Sequence, residues 1–162
     1  MSSIYYFTLF CNYDNIFFVS NLLVSLLLLT SLQISPFSSD IEKAFLQNNE
    51  KMLFALFPEN GYINISFPDP ISFSDQISSQ QAYYLFKNIF SSFSTFEFYS
   101  EPPYKAANEN SFILKARWSF RNRKNRYQYV FQLFFYITKL EVPSNEPGKQ
   151  QWQITELKAA KI

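Results

Sequence analysis

The stretch Ser111–Ile137 reads SFILKARWSFRNRKNRYQYVFQLFFYI and decides the fold. Apolar and polar residues alternate strictly through both of its halves, each about ten residues long. Strict alternation is the pattern of a β-strand that buries one of its two faces. The turn between the halves, Asn122–Asn125, is too polar to be buried. The stretch therefore predicts a long antiparallel hairpin with a basic turn.

The same alternation assigns a face to each side chain of the hairpin. On the second strand, the side opposite the core carries Val130, Phe134 and Tyr136 between glutamines. A solvated face does not normally carry three such apolar side chains, so we expect another molecule to cover it. The residues predicted to face the core are Phe112, Leu114, Ala116, Trp118, Phe120, Tyr127, Tyr129, Phe131, Leu133, Phe135 and Ile137.

The composition of the chain limits the kinds of catalytic and metal site that it can form. A length of 162 residues predicts one domain, and 48% hydrophobic with 20% aromatic content is enough for a core. The chain contains no His, and its single cysteine, Cys11, precedes the domain. Imidazole catalysis, an intrachain disulfide and a thiolate metal site are therefore excluded, and we expect neither a metal nor a cofactor. A net charge of +1 gives no whole-chain reason to expect nucleic acid as a partner.

The N-terminal segment differs sharply from the rest of the chain. Residues 1–39 carry one charged side chain, Asp14, and Ile16–Ile34 carries none. The apolar centre, Leu22–Leu29, has the length of a signal-peptide hydrophobic region, although no Lys or Arg precedes it and no clean cleavage site follows. We predict that residues 1–37 are a signal peptide or an N-terminal membrane anchor; a buried domain helix is the remaining alternative. The expected location is periplasmic or extracellular, or membrane-anchored through residues 16–34.

The domain is predicted to span residues 38–162 and to begin with helices. Ser39 is the predicted N-cap of the first helix, whose apolar residues recur three and four apart through Phe45. Asn49 is predicted to cap a second, short helix. Ser78 opens the main helix in a capping box with Gln81. The predicted strands outside the hairpin are 62–67, 96–100 and 151–158, the last with a β-bulge near Thr155–Glu156.

This order, helix, helix, strand, helix and then four strands, predicts an α+β fold. The N-terminal helices should pack on one face of a curved antiparallel sheet. The segments DIEKAFLQNNEKMLFALF, SSQQAYYLFKNIF and WQITELKAAKI carry a resemblance that covers about residues 39–160. They resemble the nuclear-transport-factor-2-like superfamily, the cystatin-like cone, and within it small exported bacterial families of unknown function. These segments are packing patterns, so they predict fold rather than activity.

The resemblance has two implications for function. Enzymes of this fold place an Asp base, a Tyr or Asp acid, or a His–Asp pair inside the cone. The His-dependent versions are excluded here, and no catalytic residue is carried over to this chain. Domains of the fold often pair through the open face of the sheet, which implies a homodimer whose interface includes Val130, Phe134 and Tyr136.

Five residues are candidates to line the open end of the cone. Trp118, Tyr129, Phe131 and Trp152 are inward aromatics that either line a pocket for a small apolar ligand or simply fill the core. Glu156 lies at the predicted bulge, where its direction is open. If it faced inward, its burial would favour acid–base chemistry.

Two groups of charged residues are candidate binding sites. Asp69 and Asp75, placed in the loop before the main helix, lack the spacing of a calcium loop. The basic residues of the hairpin either bind an anion, an acidic partner or a phospholipid headgroup, or form a solvated turn, which we favour. Their neighbouring aromatics alternate inward, so we expect no nucleic acid partner. The basic residues in question are Arg117, Arg121, Arg123, Lys124 and Arg126.

The sequence therefore predicts a non-catalytic exported module for binding or assembly. The alternative is a small lyase- or isomerase-like enzyme that uses Glu and Tyr groups inside the cone. A pair such as Glu156 and Tyr129 within hydrogen-bond reach would favour the enzyme, and a cone filled by Phe and Trp would favour the module. The expected partners are a second copy of the chain and a small apolar ligand. Membrane contact is expected only through an uncleaved N-terminal segment.

Overall fold

The computed structural model describes residues 36–101, 104–105, 110–141 and 150–162. The predicted signal or anchor, apart from its last two residues, lies outside this description, as does the turn at 143–148. The described chain forms three helices and seven strands. They are α1 (Pro36–Leu46), α2 (Glu50–Phe54), β1 (Tyr62–Phe67), β2 (Phe73–Ser78), α3 (Ser79–Ser92), β3 (Phe93–Ser100), β4 (Tyr104–Lys105), β5 (Ser111–Asn122), β6 (Gln128–Glu141) and β7 (Gln150–Lys161).

The helix caps follow the sequence closely, with one exception. Asn49 accepts hydrogen bonds from the backbone N–H groups of Lys51 and Met52 at the start of α2. Ser78 and Gln81 form the predicted capping box of α3. The prediction of Ser39 as the first N-cap was wrong, because α1 already begins at Pro36. Proline suits the first turn of a helix, where its missing N–H would have no intrahelical partner.

The strands form one sheet in the order β2-β1-β7-β6-β5-β3, with β4 pairing to β5 beyond β3. The predicted hairpin of β5 and β6 is its centre, and the α+β prediction is confirmed. Neighbouring strands are antiparallel except β1 and β7, which run parallel, so the expected all-antiparallel sheet is mixed at that one pair. Strand β2 was not predicted: Asp75 lies in it, opposite Ile65, rather than in a loop.

The predicted bulge in the last strand is present at the expected place. Tyr136 pairs with Glu156, whereas the next residue, Ile137, pairs with Ile154, so Thr155 is the extra residue. The shift restores the inward direction of Leu157, which is fully buried. A one-residue insertion reverses which face the following side chains occupy, and this is why the apolar pattern of β7 changes phase.

Aromatic side chains fill the space between the helices and the inner face of the sheet, the face that packs against them. Phe45 of α1 is fully buried and lies at the centre of this core. Its ring contacts five others at centroid distances of 4.8–6.2 Å, two on α3 and three on the sheet. These five rings belong to Phe86, Phe90, Phe98, Trp118 and Phe135.

A buried polar chain fastens the α1–α2 turn to the sheet. The Trp118 indole N–H donates to the hydroxyl of Thr95 over 2.9 Å, and this hydroxyl lies 3.2 Å from the side-chain oxygen of Asn48. The same Asn48 oxygen accepts the Thr95 backbone N–H at 3.1 Å. A buried Trp side chain needs a hydrogen-bond acceptor for its indole N–H, and Thr95 supplies that acceptor for Trp118.

Replacing Thr95 by Val should therefore lower the free energy of unfolding by about 1–3 kcal/mol, because the indole N–H would be left buried without a partner. Thr138→Val on the half-buried outer side of β6 is the control. The Thr138 hydroxyl lies 3.4 Å from that of Thr155, which keeps its own hydrogen bond to the Tyr136 carbonyl, so stability should change by about 0.5 kcal/mol or less. Urea denaturation of both variants measures the difference. An equal loss of unfolding free energy in the two variants would show that the core does not need the Thr95 hydroxyl.

The hairpin turn is only partly the solvated turn that the sequence predicts. Asn122 accepts the backbone N–H groups of Lys124 and Asn125 through its side chain. Arg123, however, donates from its guanidinium to the Phe90 carbonyl at 3.3 and 3.4 Å. This carbonyl lies in the last turn of α3, where carbonyls lack helical partners and cations are favourable. Arg123 thus holds the turn against the end of α3.

Candidate binding surface

The five residues predicted to line a pocket do not converge on one site. Trp118 and Phe131 are fully buried, with ring centroids 6.1 Å apart, so they fill the core. Tyr129 and Trp152 are only partly buried but lie at opposite ends of the sheet. Trp152 pairs with Lys139, ten residues from Tyr129 along β6, which is about 33 Å at the rise of a strand.

Glu156, the fifth candidate, lies on the outer face of the sheet, the face away from the helices. It pairs with Tyr136 on one side and Asn64 on the other. Its carboxylate contacts the Lys158 ammonium at 2.5 Å. Tyr129 is seven residues from Tyr136 along β6, about 23 Å away. The pair of Glu156 and Tyr129 that would favour an enzyme is therefore not formed.

The outer face has an apolar centre on β6. Val130, Phe134 and Tyr136 all lie there, as the alternation predicted, and each remains partly accessible in the single chain. Gln132, which interrupts this column, is held by a 3.0 Å hydrogen bond from its amide to the Ala116 carbonyl. We call Val130, Phe134 and Tyr136 the apolar column.

Charged groups on the neighbouring strands flank the apolar column. The Lys115 ammonium lies 5.8 Å from the centroid of the Phe134 ring, and that of Lys158 lies 5.4 Å from the Tyr136 ring. The Glu156 carboxylate accepts a hydrogen bond from Lys158 and attracts its charge, and both effects raise the pKa of that amine. Lys115 likewise pairs with Glu101 at 3.7 Å. The aliphatic stems of both lysines extend the apolar area around the column.

Two shallow depressions border the column, and Glu156 contributes to both. One, of about 210 Å³, has the side chains of Asn64, Asp75 and Lys158 among its lining. The other, of about 250 Å³, lies beside the bulge and includes Tyr136 and Thr155. Both are open to solvent.

An apolar centre with a charged rim is the anatomy of a protein–protein interface. The sequence indicated the column itself, but it could not indicate the rim. Lys115 and Lys158 flank Phe134 only through the register of β5 and β7 against β6. In the part of the chain described, no group of three or more potential ligating side chains could hold a metal ion. Among these residues there is also no helix with the length and hydrophobicity to cross a membrane.

Comparisons with known proteins extend these observations. No protein-family model matches the sequence, and no curated protein matches it significantly. Solved structures do match. A DUF4783 family protein from Bacteroides ovatus is 15% identical with a TM-score of 0.57, covering 76% of this chain and 93% of its own.

Two further structures agree with the first. An NTF2-like protein of unknown function in nutrient uptake from Rhodospirillum rubrum is 11% identical with a TM-score of 0.56, covering 80% of this chain and 98% of its own. A ketosteroid isomerase-like protein from Erwinia carotovora atroseptica is 12% identical with a TM-score of 0.57, covering 82% and 98%. Likeness at such low identity concerns the fold alone. The chain therefore has the nuclear-transport-factor-2-like fold, the α+β cone that its sequence resembles.

Proposed function

We propose that this protein is a non-catalytic module for binding or assembly, and that it pairs with a second copy through the outer face of its sheet. The observation that carries the proposal is the aromatic filling of the inner face. Phe45, Trp118 and Phe131 are fully buried where an enzyme of this fold would hold polar groups against its substrate. The protein then offers its accessible apolar surface on the other side of the sheet.

The pairing proposal rests on the apolar column and its rim. Two sheets can pack face to face about 10 Å apart with interdigitating side chains. In such an arrangement Phe134 and Tyr136 would be buried at the centre, and Lys115 and Lys158 would stay at the edge. Light scattering of the purified protein at about tens of micromolar tests the proposal. A mass twice that of the chain supports pairing, and a single-chain mass rejects it.

The alternative function, a lyase- or isomerase-like enzyme, needs an acid and a base facing one substrate. Glu156 stands on the outer face in contact with Lys158, and Glu97 accepts a hydrogen bond from Ser119 at 2.8 Å, also on the outer face. Neither carboxylate is available to a substrate inside the cone. A turnover that Glu156→Gln abolished without unfolding the protein would replace our proposal with the enzyme.

We further propose that the module is exported. Full-length chain expressed in a Gram-negative host should leave the cytoplasm and lose about thirty residues, because the charge-free segment has the length that the secretion machinery recognises. Fractionation followed by N-terminal sequencing measures both effects. An exported but uncut product would identify residues 16–34 as a membrane anchor. A soluble, uncut cytoplasmic product would contradict export altogether.

A further inference from the structure

Charge is segregated within this nearly neutral chain. Residues 111–140, which include most of the β5–β6 hairpin, contain seven of the 14 Lys and Arg residues and none of the 13 Asp and Glu residues. The hairpin segment therefore carries +7, and the remainder of the chain carries −6. Such separation creates a surface potential that a net charge of +1 conceals.

Three of these cations gather near the hairpin turn without a counter-charge. Arg121, Lys124 and Arg126 have no ion-pair partner among the described residues. Arg121 lies at the end of β5 opposite Gln128, and Lys124 and Arg126 are exposed in the turn. Arg123 differs from them, since its guanidinium is engaged by the Phe90 carbonyl. We call Arg121, Lys124 and Arg126 the basic tip.

An exposed aromatic residue accompanies the basic tip. Tyr127 follows Arg126 directly and is 67% exposed, so the prediction that it faces the core is wrong. It lies beyond the edge of the core, where most of its surface stays accessible. Tyrosine beside basic residues is the combination found where proteins meet the headgroup region of a bilayer, because the ring is amphipathic.

We propose that the basic tip docks the domain on an anionic phospholipid surface, with Tyr127 entering the headgroup region. Complementary charge supports this occupant, and the shape of the tip favours it over nucleic acid. A hairpin turn is convex and meets a plane, whereas single-stranded nucleic acid is bound in grooves with aromatic stacking platforms. On β5 the rings of Trp118 and Phe120 are fully buried and offer no such platform. This contact is additional to any made by the N-terminal segment.

Sedimentation of the full-length chain with lipid vesicles tests the proposal. Vesicles of phosphatidylcholine with about 30% phosphatidylglycerol are compared with phosphatidylcholine alone, because only the former attract cations. The wild type should prefer the anionic vesicles about a hundredfold. About 0.5 M salt should abolish the preference by screening. Arg121→Gln/Lys124→Gln/Arg126→Asn should weaken anionic binding about a hundredfold, since each cation contributes roughly fivefold. Asn is used at position 126 because its φ of 64° suits that residue type.

A variant of equal net charge is the control. Lys43→Gln/Lys51→Gln/Lys87→Gln removes three exposed cations from the helices, and it should keep the preference of the wild type. The N-terminal segment is the same in all three proteins, so a difference between them in anionic binding comes from the substituted cations. Circular dichroism confirms that each variant is folded.

Three results would overturn the proposal. The first is wild-type binding that is equal for anionic and neutral vesicles. The second is an equal loss of anionic binding in the control variant with the three lysines of the helices replaced. This would mean that binding depends on the total charge of the chain and not on the basic tip. The third is retention of single-stranded RNA that depends on the basic tip while vesicles are ignored, which would identify nucleic acid as the occupant.

Discussion

Replacing Phe45 by Ala is expected to lower the free energy of unfolding by about 3–5 kcal/mol. The ring is fully buried and contacts five other aromatic rings from α3 and the sheet, so its removal leaves a cavity that the rigid neighbours cannot close. Phe54→Ala is the matched control, because this ring on α2 is 37% exposed. Its loss should cost about 1 kcal/mol. Chemical denaturation of the two variants measures the contrast.

The same substitution tests whether the cone holds a ligand. The cavity left in Phe45→Ala would be lined by apolar rings, and such cavities stay dry and accept small aromatic molecules. Benzene or indole should therefore raise the melting temperature of Phe45→Ala and leave that of the wild type unchanged. Stabilisation of the wild type by an equal amount would show that the native cone already contains a pocket. The small apolar ligand expected from the sequence would then become the preferred occupant.

Replacing Phe134 by Glu is expected to convert the proposed dimer into a monomer. Symmetry removes the Phe134 ring from the interface twice and places a carboxylate there instead. The lost apolar contact and the desolvation of each carboxylate together cost about 2 kcal/mol or more per site. The dissociation constant should therefore rise about a thousandfold. The fold should survive, because Phe134 pairs with Lys115 on β5 and Lys158 on β7, which would face the new charge. Light scattering across a dilution series gives the constant for each protein.

Gln80→Glu is the control for the Phe134→Glu experiment. It adds the same charge to an exposed residue in the first turn of α3, on the side of the sheet opposite the apolar column. This variant should remain a dimer. If both variants dissociate, the added charge acts through the net charge of the chain and the apolar column is not the interface. If the wild type is already monomeric, the proposal that two copies pair through the sheet is rejected without either variant.

Local patterns sufficed for much of the fold. The strict alternation in Ser111–Ile137 predicted the central hairpin and both of its faces, because side-chain direction in a strand has a period of two. The helix caps at Asn49 and Ser78 were also predicted, since capping depends on residues within one turn. The bulge at Thr155 was predicted for the same reason: the break in the apolar pattern is itself local.

Contacts between distant segments could not be predicted in this way. Strand β2 was missed because its polar residues, Asp75 among them, give no apolar alternation, and only pairing with β1 makes it a strand. The hydrogen bonds that join Asn48, Thr95 and Trp118 link three elements far apart in sequence. Both features depend on the register in which the strands pair. That register is set by the packing of entire sheet faces against the helices, which no local pattern shows.

The same distinction between local patterns and distant contacts applies to the candidate site. By itself the sequence determined which residues of β6 lie on the outer face and that His and Cys chemistry is excluded from the domain. Only the tertiary structure decided that Trp118 and Phe131 fill the core, and that Glu156 pairs with Lys158 outside it. The reason is that alternation fixes the side of the sheet on which a side chain lies. Whether that side is open or filled depends on a residue from another element, and here Phe45 of α1 fills it.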